Sequence, residues 1–194
     1  MLAYRHLFHA GNFADVFKHA LLAQLVLALE KKDKPFLVLD THAGIGRYDL
    51  THEWAQKNAE YRDGIGLLWP RRKEAPPAFA PYLEAVNAEN GGAEVLRFYP
   101  GSPRIVRRML RPDDRLVLSE MNRKDCELLA GLFARDRQVK VQLMDGYQAI
   151  RAFLPPLERR GLLFVDSSFD RAREFERLTE GMAEAHRRFA TGVQ

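Results

Sequence analysis

A short apolar run followed by an acid and a glycine loop constrains the fold of this chain more than any other stretch. Phe36–Leu39 is apolar at every position and follows Pro35, and Asp40 ends the run. A run of this kind is typical of a strand buried on both faces inside a parallel sheet. Gly44 and Gly46 come next. Glycines let a backbone approach a ligand closely, and ligands of open α/β sheets bind beyond the carboxyl ends of the strands.

The spacing of this loop favours a nucleoside ligand. It reads Gly44-x-Gly46-x-x-Asp49, so the third glycine of the dinucleotide fingerprint is replaced by an acid. A strand followed by Asp-x-x-x-Gly-x-Gly suits a nucleoside that carries no pyrophosphate, and S-adenosylmethionine is the first candidate. The alternative is a tight turn without a ligand.

Further apolar runs also end in acids. The stretches that begin at Arg115, Lys140 and Gly161 are predicted strands, and the acids at the ends of all four runs are Asp40, Glu120, Asp145 and Asp166. If the strands are parallel, these carboxylates meet at one edge, which packing alone does not explain. A carboxylate at the end of a second strand typically accepts hydrogen bonds from ribose hydroxyls, which is the role expected of Glu120. A metal site is the alternative, but His6, His9, His19 and His42 lack a tight ligand spacing.

Helices are predicted between the strands. Asn12 is expected to cap a helix over about 13–31, in which Lys18 and His19 lie early; a surface lysine and a core histidine are the alternative interpretation. Residues 51–95 are predicted to form an inserted helical subdomain, so that 1–50 and 96–194 form the core. A last helix over about 171–190 places Phe175, Leu178, Met182 and Phe189 on one stripe.

Length and composition indicate the number of domains, the class of partner and the cellular compartment. A chain of 194 residues is expected to form one domain with an insertion, and its net charge of +4 is compatible with a nucleic acid partner. Cys126 is the single cysteine, which indicates a reducing compartment. No apolar run reaches the roughly 20 residues of a membrane helix, and the N-terminus lacks the apolar segment of a signal peptide. A cytoplasmic protein without a membrane partner is expected.

Three stretches together resemble one family. Tyr4 to His19, Leu39 to Tyr48 and Tyr99 to Pro103 are similar to motifs of the bacterial 23S ribosomal RNA adenine-N6 methyltransferases of the RlmJ type, and shorter matches extend this along the chain. The resemblance implies an α/β fold: a class I, Rossmann-like methyltransferase sheet that uses S-adenosylmethionine and no metal. It implies 23S ribosomal RNA, protein-free or unfolded, as the partner.

The resemblance also implies roles for single residues. The residues expected to line the donor site are His19, His42, Ser102, Glu120, Asp145, Gly146 and Asp166. Within that set, Glu120 would hold the ribose and Asp145 would read the donor adenine. Tyr4, His6 and Lys18 are assigned to the RNA substrate, and Phe169 would stack on the target base. Asp166 is the expected catalytic residue.

Two departures from the family pattern leave alternatives open. The family has Asp-Pro-Pro-Tyr (or Phe) at the fourth strand, whereas this chain has Asp166-Ser167-Ser168-Phe169, and it ends at Gln194 where the family continues through three more strands. The fourth strand is therefore expected to be an open edge, prone to self-association. A catalytically impaired relative that binds donor or RNA without transfer is the first alternative. A DNA or protein methyltransferase is the second.

Overall fold

The four predicted strands form one parallel sheet. The computed structural model describes residues 6–169 and 172–194, in which β1 (Leu37–Asp40), β4 (Arg115–Glu120), β5 (Val139–Leu143) and β6 (Gly161–Phe164) lie in the order β5-β4-β1-β6. Every neighbouring pair is parallel, and Asp40 is in register with Leu118 on one side and Phe164 on the other. The expected α/β fold with a parallel, Rossmann-like sheet is confirmed.

The described residues fall into two compact units. The first contains residues 6–27 and 46–109, and the second contains 28–45, 110–169 and 172–194. The second unit holds the parallel sheet, α6 (Arg123–Leu132), α7 (Gly146–Phe153) and α8 (Glu174–Phe189). Residues 51–95 lie within the first unit, and their description as an inserted subdomain stays a prediction.

The core of the second unit lies between the sheet and two helices. Leu39, Val117 and Leu163 from the strands are buried against Ile150 of α7 and Phe189 of α8. The buried stripe of α8 differs from the predicted one: Glu174, Gly181, Ala185 and Phe189 are buried, whereas Phe175 is 73% exposed. The prediction for Phe175 was wrong because apolar character alone does not set the phase of a helix against its neighbours.

The two outer strands also depart from expectation. β5 is partly exposed rather than buried, because it borders the sheet on one side only. The outer edge of β6 is not open over its whole length. Val193 donates its N–H to the Gly161 carbonyl (3.1 Å), and its carbonyl accepts the Leu163 N–H (2.8 Å). The prediction of an open edge on β6 is therefore wrong between Gly161 and Leu163.

The first unit is built from short helices around a two-stranded sheet. β2 (Arg47–Asp49) pairs antiparallel with β3 (Phe98–Pro100), and the sequence did not predict β2. The α-helices of residues 46–109 are α2 (Glu53–Asn58), α3 (Ile65–Leu68), α4 (Ala80–Glu89) and α5 (Ser102–Met109).

Helix α1 (Phe13–Glu30) begins as predicted. The Asn12 side chain accepts the Asp15 N–H at 2.9 Å, which confirms Asn12 as the N-cap. No helix among residues 6–169 and 172–194 is both long and apolar enough to cross a membrane.

Candidate active site

The strand order places a ligand crevice between β1 and β6. From β1 the sheet extends through β4 to β5 on one side, and the chain then crosses to β6 on the other side of β1. Ligands of open α/β sheets bind at such a reversal, beyond the carboxyl ends of the strands. Thr41 follows β1 here, and both its N–H and its hydroxyl donate to the Phe164 carbonyl, at 3.1 Å and 3.0 Å. The segment 41–42 is thereby tied to the strand that leads into Asp166.

Glu120 ends β4 and accepts two backbone hydrogen bonds. Its Oε2 accepts the Gly44 N–H at 3.0 Å, and its Oε1 accepts the Asn122 N–H at 2.7 Å. The carboxylate is thus tied to the predicted glycine loop after β1. Burial nevertheless raises the pKa of Glu120, with the like charge of Asp125 adding to the effect. A buried carboxylate whose pKa is raised gains when further donors reach it.

Gly146 allows a close approach at the same edge. A Cβ at this position would overlap the carbonyl oxygen of Thr41, so only glycine lets the first turn of α7 reach the loop after β1. The His42 ring lies there as well, 5.7 Å from the Tyr147 ring in an edge-on arrangement. Burial lowers the pKa of His42, and the nearby carboxylates, Glu174 first, only partly oppose this.

Both carboxylate oxygens of Asp145 accept hydrogen bonds within the unit. Its Oδ1 caps α7 by accepting the N–H groups of Tyr147 (3.0 Å) and Gln148 (3.2 Å), and its Oδ2 accepts a hydrogen bond from Arg177 of α8 at 2.7 Å. Burial would raise the pKa of Asp145, but the Arg177 contact and the backbone bonds hold it below its ordinary value. A groove of about 260 Å³ runs along this pair between α7 and α8. It is smaller than most ligand pockets, which span about 300–1,000 Å³.

Glu174 lies at the centre of a second set of contacts. It is 4% exposed, and its Oε1 accepts hydrogen bonds from the hydroxyls of Ser167 (2.7 Å) and Tyr147 (2.8 Å). Its Oε2 lies 3.6 Å from Arg177, whose guanidinium also covers the Tyr147 ring at 4.6 Å. Burial would raise the pKa of Glu174, but these hydroxyls and the positive charge keep it below its ordinary value.

The loop after β6 carries the predicted catalytic acid. Asp166 is among the carboxylates that oppose the lowering of the His42 pKa, which places it near that ring. Phe169, predicted to stack on the target base, is 44% exposed and adopts a left-handed conformation with φ of 54°. Its ring centroid lies 4.7 Å from that of Phe175.

In the first unit, two of the predicted RNA-binding residues contact one buried carboxylate. His6 Nε2 donates to Asp15 Oδ2 at 2.9 Å, Lys18 Nζ lies 2.9 Å from Oδ1, and the Gly11 N–H donates at 2.8 Å. Asp15 is 1% exposed. Burial alone would raise its pKa, but the charges of His6, His19 and Lys18 hold the pKa well below the ordinary value.

The remaining predicted residues are placed as follows. His19 is 2% exposed and hydrogen-bonds through Nδ1 to the hydroxyl of buried Tyr99 at 2.9 Å. Ser102 is buried at the first turn of α5. Both belong to the first unit, whereas His42, Glu120, Asp145, Gly146 and Asp166 belong to the second. Tyr4 lies outside the described residues.

Several residues of the site were missed from the sequence. Tyr147 follows the predicted Asp-Gly pair and could have been found from that position, and Asp15 lies inside the N-terminal motif. Glu174 and Arg177 gave no signal, because a charged pair three residues apart on a helix is usually solvated. Within the described ranges, no group of three or more His, Cys, Asp or Glu side chains is arranged to hold a metal ion.

Comparisons with known proteins agree on one family. Residues 33–194 match the family model described as ribosomal RNA large subunit methyltransferase D, RlmJ. Over the whole chain, 44% of residues are identical to ribosomal RNA large subunit methyltransferase J of Escherichia coli, and 41% to the protein of that name from Haemophilus influenzae. The chain spans 68% of each relative. A crystal structure of a Legionella pneumophila protein is similar with a TM-score of 0.88 and 38% identity, over 95% of this chain and 67% of that one.

Proposed function

Because this chain belongs to the RlmJ family of large subunit ribosomal RNA methyltransferases, we propose that it transfers a methyl group from S-adenosylmethionine to N6 of an adenine in 23S ribosomal RNA. The observation that carries the proposal is the shared sheet edge at which Glu120 and Asp166 follow parallel strands on either side of β1. We assign Glu120 to the ribose and Asp166 to the target base.

The residues of the second unit fit the donor. Glu120 is half-buried with a raised pKa, so two ribose hydroxyls donating to it would relieve the cost of its charge. Gly146 lets the first turn of α7 approach the loop after β1, because a Cβ there would overlap the Thr41 carbonyl oxygen. Asp145 Oδ2 already accepts from Arg177 and retains lone-pair capacity for the amino group of an adenine.

Methylation of an adenine amino group depends more on the orientation of its lone pair than on a strong base. The lone pair of an exocyclic adenine nitrogen is delocalised into the ring, so this nitrogen is a poor nucleophile. When bound, S-adenosylmethionine supplies a methyl group made electrophilic by its positive sulfur. The Asp166 carboxylate and the Ser167 carbonyl accept the two amino hydrogens and direct the lone pair out of the ring plane. As the N–C bond forms and the S–C bond breaks, Asp166 receives the proton that the nitrogen loses.

The target base must leave its stack to reach this loop. Extrusion of a base costs a few kcal/mol from a duplex and less from a single strand, so protein-free or unfolded RNA is the expected substrate. The exposed Phe169 ring offers a stacking surface, and such contacts contribute roughly 1–3 kcal/mol per base. His6 and Lys18 are proposed to contact the RNA.

A transfer assay tests the proposal. The chain is incubated with tritiated S-adenosylmethionine and, in separate reactions, with protein-free 23S ribosomal RNA, DNA and bulk protein, and labelled RNA is digested to nucleosides. Label in N6-methyladenosine is expected. Asp166→Asn should lower the rate by about 100-fold or more, whereas Asp113→Asn, at an exposed acid of the same unit, should leave it unchanged.

Other outcomes would select the alternatives. Label in DNA or protein would contradict the RNA assignment. Donor binding by calorimetry without transfer to any acceptor would identify a relative that binds and does not transfer. Ser167 and Ser168 favour donor binding without transfer, because prolines would restrict the loop and serines do not.

A further inference from the structure

The loop that carries Asp166 has Ser167 and Ser168 where the family pattern has prolines, so no proline ring restricts its backbone there. Residues 165–169 follow the end of β6 at Phe164 and contain no proline. Each residue that is fixed in one backbone conformation costs about 1–2 kcal/mol of conformational entropy. A reactive carboxylate and carbonyl on such a loop therefore need an interaction that holds them in place.

Glu174 supplies an interaction of the right kind. Its Oε1 accepts the Ser167 hydroxyl at 2.7 Å, and Ser167 is the residue whose carbonyl is assigned to the substrate amino group. The same oxygen accepts the Tyr147 hydroxyl at 2.8 Å, and Tyr147 lies in the first turn of α7. The carboxylate thus joins the loop to a rigid helix that borders the proposed donor site.

Glu174 does more than complement the dipole of its helix. Acids in a first turn are favourable anywhere on the helix surface, and Glu176 fills that role at 58% side-chain exposure. Glu174 is instead 4% exposed, and a buried carboxylate is retained only where it is paired and hydrogen-bonded. Arg177 completes the pairing, since it contacts Glu174 and also Asp145.

We propose that Glu174 is a positioning residue for the transfer reaction: its carboxylate holds the Ser167 hydroxyl and thereby fixes the Asp166 carboxylate and the Ser167 carbonyl toward the substrate. The inference rests on the proposed function for the meaning of that loop. Through Arg177, the same carboxylate links the loop to Asp145, so that donor binding and loop order support each other.

Substitutions at both ends of the contact test the proposal. Ser167→Ala and Glu174→Gln should each lower kcat by about tenfold or more, since a misplacement of ~1 Å costs on the order of 100-fold. The affinity for S-adenosylhomocysteine should change less than about threefold in Ser167→Ala. The double variant should lose no more than the more affected single variant, because the two side chains act as one pair. Ser167→Thr keeps the hydroxyl and should restore most of the rate.

A matched control and a second measurement complete the design. Glu176→Gln removes the same charge from the same helical turn at an exposed position and should leave kcat unchanged. Hydrogen exchange of a peptide spanning 165–169 should be faster in Glu174→Gln and unaltered in Glu176→Gln, whether or not the chain transfers methyl groups. Absence of transfer by the unsubstituted chain would defeat the proposed function alone. Unchanged exchange in Glu174→Gln, or an unchanged kcat in Ser167→Ala, would overturn the positioning role.

Discussion

Asp15 in the first unit and Glu120 in the second are acids in polar surroundings with opposite pKa shifts. Asp15 is contacted by His6 and Lys18, and its pKa lies well below the ordinary value. Glu120 accepts hydrogen bonds from two backbone N–H groups, and burial raises its pKa. Charged partners therefore outweigh burial at Asp15, whereas neutral donors do not at Glu120.

The difference separates a carboxylate that serves the fold from one that is open to a ligand. The interactions of Asp15 include a backbone N–H, a lysine and a histidine, so its charge is compensated within the chain. The charge of Glu120 is not fully compensated, and a ligand with hydroxyl donors would gain from it.

The largest expected effect is on stability in the first unit. Asp15→Ala removes a buried carboxylate and leaves His6 and Lys18 without it, so the free energy of unfolding should fall by about 3–5 kcal/mol. Urea denaturation measures this. Glu94→Ala is the control, because Glu94 pairs with Arg72 at 82% side-chain exposure and should change stability by less than about 1 kcal/mol. Equal losses in the two variants would show that burial of Asp15 does not matter.

Glu120→Gln should affect ligand affinity more than it affects the stability of the fold. Hydrogen bonds to charged groups contribute about 1.5–3 kcal/mol, so the affinity for S-adenosylhomocysteine should fall by roughly 10- to 100-fold in calorimetry. The melting temperature should fall less than in Asp15→Ala, because loss of the charge relieves its desolvation cost although one of the two backbone N–H groups loses its acceptor. A melting temperature lowered as far as that of Asp15→Ala would contradict the comparison.

The two acids should also differ in their response to pH. The folded pKa of Asp15 is depressed, so its contribution to stability is complete above the unfolded pKa of about 3.9. It is lost below that value by about 1.4 kcal/mol per pH unit. The folded pKa of Glu120 is raised, so its contribution is complete below about 4.3 and is lost as the pH rises through the folded pKa.

Denaturation from pH 3 to pH 7 measures both effects. The stability deficit of Asp15→Asn should shrink on acidification below about pH 4, whereas the stability of Glu120→Gln relative to the unsubstituted chain should fall at higher pH values, as the pH decreases from the folded pKa of Glu120 to about 4.3. Parallel pH profiles for the two variants would mean that at least one of the two shifts does not have the assigned sign.

The smallest expected effect concerns RNA. Lys18→Ala should leave Asp15 with its His6 and Gly11 contacts and reduce the slope of log affinity for single-stranded RNA against log salt by about 0.7, the value of one phosphate contact. Filter binding at several salt concentrations measures the slope. Lys31→Ala, at an exposed lysine after α1, is the control. An equal slope for Lys18→Ala and the unsubstituted chain would assign Lys18 to the fold alone.

The sequence by itself determined the parts of this protein that depend on local pattern. Apolar runs gave the strands β1, β4 and β6, Asn12 gave the start of α1, and the acids that end the runs gave the composition of the sheet edge. These features follow from unbroken apolar runs and from capping, which act over a few residues.

Only the tertiary structure decided the features that join distant residues. The contacts of Glu174 with Tyr147, of Arg177 with Asp145 and of His19 with Tyr99 close loops of 27, 32 and 80 residues. The pairing of β2 with β3, the exposure of β5 and Phe175, and the contact of Val193 with β6 were decided in the same way. The energy of a buried charge or of a strand edge depends on which neighbours the fold supplies, and local sequence does not record them.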